Sequence, residues 1–79
     1  MTCRDEILDA VAGIIRRSGQ EQFTVAEVIQ EMSRRGTSYA ESTIRTHVTS
    51  RMCANAPDHH GVVYGDLLRI GRGTYRLAR

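Results

Sequence analysis

Apolar residues recur at helical spacing three times over the first two-thirds of the chain, then give way to alternation. Ile7, Leu8, Val11, Ile14 and Ile15 line one side of a helix over about residues 3 to 18, with Glu6, Asp9, Arg16 and Arg17 outward. Val25, Val28, Ile29 and Met32 predict a second helix over about residues 25 to 35. Ala40, Ile44, Val48 and Met52 predict a third over residues 38 to 52. Each start carries a capping-box signature, a Ser or Thr followed three residues later by an acid: Thr2 with Asp5, Thr24 with Glu27, Ser38 with Glu41. Gly19 and Gly36 supply the stops. Between the first two helices, Phe23 reads as a core plug or a one-bridge strand.

Beyond Met52 the pattern changes. The stretch Cys53–Asp66 holds the sole proline and reads as an irregular crossing, with Val62–Tyr64 briefly extended. LLRI and TYRL, separated by Gly71, Arg72 and Gly73, then alternate as a hairpin closed by a three-residue turn. This pattern puts Leu68 and Ile70, with Tyr75 and Leu77, on the core face; Arg69, Thr74 and Arg76 face away, and Arg72 sits at the tip. The second and third helices are joined by Arg35, Gly36 and Thr37, a short turn with glycine, which is the helix-turn-helix pattern. The fold class is therefore α+β, mostly α: a winged helix-turn-helix of three helices and a C-terminal β-hairpin wing, one domain over residues 1–79.

Length narrows the function. Seventy-nine residues supply one core that is only just sufficient, which argues against a multi-part active site, so the reading is of a non-enzyme without a cofactor. The net charge of +2 points to no partner by itself; all eleven basic residues are Arg, which coding bias or a need for planar bidentate donors explains. Two cysteines, Cys3 and Cys53, fall short of a disulfide framework, and neither a signal peptide nor a membrane span is visible, which makes the cytoplasm the expected location. Cys53, Asp58, His59 and His60 are ligand types, but adjacent histidines without a second nearby Cys are poorly spaced for zinc, and no metal site is assigned.

The third helix carries the sharpest signal. In SYAESTIRTHVTSRM, residues 38 to 52, six of fifteen positions are Ser or Thr, which are mediocre helix formers. A face made only for water favours Glu, Lys and Gln; short hydroxyls around one Arg suit a helix lying close against DNA. Ser42, Arg45, Thr46, Thr49 and Ser50 are its candidate contacts, Arg45 reaching a guanine edge or a phosphate and the hydroxyls reaching phosphates or thymine methyls. Arg69, Arg72 and Arg76 on the hairpin are candidates for backbone or minor groove. His47 is expected at the core edge with a satisfied ring nitrogen, and Arg51 is expected to turn back to the following loop, on Asp58 or exposed carbonyls. Arg16, Arg17, Arg34 and Arg35 end the first two helices, where the helix dipole explains them without a ligand.

STIRTHVTSRM, the downstream APDHH and the closing GRGTYRL resemble a small group of bacterial winged helix-turn-helix domains, distantly similar to HARE-type helix-turn-helix modules found near restriction and chromatin enzymes. The resemblance covers nearly the whole chain; it implies DNA association and assigns no residue. The expected function is double-stranded DNA binding, in transcriptional control or in targeting a DNA-modifying system. The alternative is a winged helix used for contact with a protein partner or a second copy of itself.

Overall fold

A computed structural model describes residues 2–56 and 64–78 of the chain. Helix α1, Cys3–Ser18, is followed by strand β1, Gln22–Thr24, helix α2, Val25–Arg34, and helix α3, Glu41–Thr46, which runs on into a π-helical turn, His47–Arg51. Strands β2, Leu67–Gly71, and β3, Thr74–Leu77, form the hairpin. β1 adds to it antiparallel, so the sheet order is β1-β3-β2. The order and pairing of these elements are those of a winged-helix-like α+β fold.

Two of the three expected capping boxes form. The Thr2 hydroxyl accepts from the Asp5 N–H and that of Thr24 from the Glu27 N–H, each acid returning to the cap backbone. The box at Ser38 does not form. The cap of α3 is Ala40, without a side-chain hydrogen bond, and Ala40 is exposed where the apolar row placed it inward. Tertiary contacts hold this connection extended. Thr37 Oγ1 donates to Glu6 Oε1 of α1 at 2.9 Å and accepts from the Tyr39 N–H at 3.2 Å, while Tyr39 packs against the core. A helix begun at Ser38 gives up the extended path that seats Tyr39, so α3 starts three residues late.

The core gathers the predicted rows: Ile7, Val11 and Ile14 from α1, Val25, Val28 and Met32 from α2, Ile44, Val48 and Met52 from the third helical stretch, all buried. Leu8, Ile15 and Ile29 pack on it only partly buried. Cys3, Ala10 and Cys53, not placed inward by the periodicity, are also buried. Phe23 lies within β1, opposite Tyr75 of β3, and both rings are buried.

The hairpin departs from its expected phase. Leu67 pairs with Leu77, Leu68 with Arg76 and Arg69 with Tyr75, and cross-strand partners share a face, so the inner residue of β2 is Leu67, not Leu68. Leu68 shares the outer face with Arg76, and Ile70 is 48% exposed at a bulge between Arg69 and Gly71. The alternation alone cannot choose between phases one residue apart. Leu67 is selected by its neighbours, since its N–H donates to Met52 O and its C=O accepts from the Ala54 N–H, each at 2.8 Å. Asn55 continues this edge pairing with its side chain, Oδ1 accepting from the Arg69 N–H and Nδ2 donating to Arg69 O. The turn is Arg72–Gly73, with Gly73 at φ 69°, left-handed backbone that suits glycine.

The packing yields one direct check on helix phase. Ile44 is 2% exposed, so Ile44→Ala should leave a cavity and cost about 2 to 5 kcal/mol in urea denaturation, with the m-value little changed.

Candidate nucleic-acid interface

The third helical stretch is built differently from a plain α-helix. In the π-helical turn Met52 N–H reaches back five residues to His47 O at 2.8 Å, which disturbs the i−4 ladder before it. Side chains take up carbonyls there: Thr49 Oγ1 donates to Arg45 O at 2.8 Å, and His47 Nδ1 donates to Thr43 O at 2.9 Å. His47 is half-buried with one ring nitrogen satisfied, as its place at the core edge suggested. Thr49 is a correction to the outward set. It is half-buried with its hydroxyl proton spent on the backbone, and Ser50 is half-buried too.

Ser42, Arg45 and Thr46 remain fully on the exposed face, and their side chains have no hydrogen-bond or ion-pair partner among the described residues. Arg45 lines a shallow hollow between α2 and α3, with Ala26, Gln30, Ser33, Arg34 and Glu41. On the other flank of α3, Ser42 and Thr46 share a hollow with Thr43, His47 and Arg51. Arg51 is exposed; its expected partner Asp58 lies outside the described residues.

The hairpin arginines do not form one ribbon. Arg69 is in register with Tyr75 on the inner side yet exposed beyond the core, and Arg76 is in register with Leu68 on the outer side. Arg76 lines a hollow with Ile15, Glu21 and Leu77, next to α1, which separates it from the α3 face. Arg72 is exposed at the tip. The turn that carries it is tied down, however, because the Val25 N–H, unpaired at the start of α2, donates to Gly73 O at 3.2 Å.

Charge reasoning from sequence missed the strongest electrostatic feature. Glu31 of α2 is 3% exposed and takes three guanidiniums: Arg17 Nη2 at 3.0 Å and Arg34 Nη2 at 2.8 Å on Oε1, and Arg35 Nε at 2.7 Å on Oε2. Hydrogen bonds from Arg34, Arg35 and Arg17, in that order, pull its carboxyl down to about 2 against the opposing effect of burial. Arg17, Arg34 and Arg35 are thus ion-pair partners, beyond what the helix dipole requires. The i,i+3 and i,i+4 spacing to Arg34 and Arg35 was visible in the chain, but nothing there showed that Glu31 turns inward or that Arg17 crosses from α1. Gly13 makes room for the cluster: a Cβ there would stand 2.5 Å from Arg35 Nη2. At the other end of α1, Arg4 grips Asp66 with two bonds of 2.8 Å and lies 4.2 Å above the Tyr64 ring, tying α1 to the approach of β2.

A family model for a domain of unknown function, DUF7669, matches residues 3–77. The chain belongs to the DUF7669 family. No curated protein and no solved structure matches it. In this DUF7669 chain Cys53 has a local task, its Sγ donating to Asn55 Oδ1 at 3.2 Å and so steadying the side chain that pairs with β2. Among the described residues no three His, Cys, Asp or Glu stand together as a metal site, and His59 and His60 lie outside them. Nor is any described helix long and apolar enough to cross a membrane.

The Glu31 cluster sets a pH dependence whose sign follows from linkage. The folded-state value of about 2 lies below the ordinary 4.5, so the unfolded chain holds the proton more tightly. The stabilisation is complete above about pH 4.5 and is lost as pH falls toward about 2. Glu31→Gln should lower Tm at pH 7 and flatten part of the acid-side decline; thermal melts of both proteins across that range read the difference.

Proposed function

We propose that this domain binds double-stranded DNA, with α3 in the major groove and the hairpin as a short wing on the backbone or minor groove. The observation that carries the reading is the outward face of α3, where Ser42, Arg45 and Thr46 are exposed and have no side-chain partner among the described residues. Short hydroxyls let a helix axis approach the groove floor, and a single Arg on a packed helix can hold a bidentate fork in register with a guanine. The helix-turn-helix order of α2 and α3 and the resemblance to bacterial winged helix-turn-helix domains support the same reading. It places the protein in the bacterial cytoplasm, in transcriptional control or as the targeting module of a DNA-modifying system.

Thr49 and Ser50 contribute less than Ser42 and Thr46, since they are half-buried. Of the hairpin arginines, Arg72 is the best placed, and Arg76, toward α1, the least. One observation favours a second reading: Ile70 stands exposed on the wing beside half-buried Leu68, an apolar spot that suits a protein partner.

The two readings separate in titrations of a selected site and a scrambled duplex at several salt concentrations. Arg45→Ala should cost about 1 to 3 kcal/mol on the selected site and blur its base preference, with Tm unchanged. Arg72→Ala should weaken both duplexes by a similar factor and reduce the salt slope by about one. Equal losses on both duplexes for both variants make α3 a backbone clamp. No loss for either favours the protein-docking reading.

A further inference from the structure

Three guanidiniums against one carboxylate leave the Glu31 cluster with two net positive charges, although Glu31 itself is buried. The three arginines are not consumed by it. Arg17 and Arg34 each reach Glu31 through Nη2 alone, their Nε and Nη1 donors have no partner among the described residues, and their side chains are 60% and 65% exposed. Arg35 is committed differently, through Nε, with Nη2 over Gly13. A long, flexible Arg on a surface ordinarily loses rotamer entropy when it takes a ligand. Here the buried carboxylate has already fixed one end of each fork.

Position gives the surface a meaning. Arg34 lines a hollow with Arg17, Gln30 and Glu27 on one side and the hollow containing Arg45 on the other. It therefore bridges the cluster to the outward edge of α3. Glu27, the acid on that rim, is occupied by the Thr24 N–H at 2.8 Å. Glu41 lines the hollow that holds Arg45 and is absent from the one that holds Arg17.

We propose that Glu31 anchors a phosphate-binding surface, on which Arg17 and Arg34 present their remaining guanidinium edges to the phosphodiester oxygens of one DNA strand flanking the groove that α3 enters. This rests on the DNA-binding reading above. Arg17 and Arg34 act as backbone clamps without sequence preference, and Glu31 is a positioning residue that touches no DNA.

The test is a set of salt titrations of the full chain on the selected and scrambled duplexes, with folding of each variant checked by its melt. Arg17→Gln and Arg34→Gln should each lower the slope of log affinity against log salt by about 0.9, equally on both duplexes. Arg16→Gln, an exposed neighbour with no bond to Glu31, should leave the slope unchanged. Arg34→Lys keeps the charge but not the fork, and should recover less than the full slope. Unchanged slopes for Arg17→Gln and Arg34→Gln, with Arg45→Ala still impaired, overturn this inference and leave DNA binding standing. A slope lost equally in Arg16→Gln also overturns it, since general charge then accounts for the effect. Absence of binding by the unmodified chain to either duplex overturns both.

Discussion

A carboxylate that is 3% exposed has to be met by charge, and this requirement at Glu31 decides how the helices of the domain sit together. Arg34 and Arg35 come from the same helix, but Arg17 comes from the end of α1, so the bond between them crosses the α1–α2 pair. Gly13 opens α1 where Arg35 passes, at the usual cost of a glycine within a helix, about 0.5 to 1 kcal/mol relative to Ala. A buried ion cluster is weak evidence for stability, because the desolvation it requires offsets much of its attraction. Its stronger effect is on geometry, since an arrangement of α1 and α2 without the Arg17 contact leaves the buried carboxylate with only the two arginines of its own helix. The α3 face is carried on that pair through the Thr37–Glu6 bond and Tyr39.

The hydroxyl-rich third helix now divides into two halves with different physics. Its first half, Glu41–Thr46, exposes Ser42, Arg45 and Thr46 with no internal partner among the described residues. Its second half uses Thr49 and His47 to satisfy carbonyls that the π-helical turn disturbs. The turn keeps Val48 and Met52 buried. The poor helix formers of this stretch therefore divide in two, an exposed set at Ser42 and Thr46 and a set whose side chains serve the backbone as hydrogen-bond partners.

The hairpin is held more firmly than a glycine turn implies. Leu67 is paired on its outer edge by Met52 and Ala54, Asn55 substitutes its amide for a missing strand at Arg69, and the tip carbonyl of Gly73 receives the first N–H of α2. The wing is tethered at its outer edge and at its tip. Arg72 is thus presented from a tip held beside the start of α2.

Much of the fold was legible in the chain. The 3.6-residue periodicity placed α1 and α2 with their inward rows, the capping boxes at Thr2 and Thr24 marked their starts, and turn glycines marked the ends, because these are local effects that need no distant partner. The exposed half of the candidate interface was legible for the same reason: Ser42, Arg45 and Thr46 follow from the phase set by Ile44 and Val48. What remained depended on contacts between distant residues. Ser38 lost its cap to the seating of Tyr39, the hairpin phase was chosen by Met52 and Ala54, and the turn at Thr49 changed the backbone beneath two expected contacts. Glu31 is the clearest case. Its charge and spacing are those of an ordinary solvent-facing glutamate, and only the packing of α1 against α2, which brings Arg17 to it, makes burial of that carboxylate affordable.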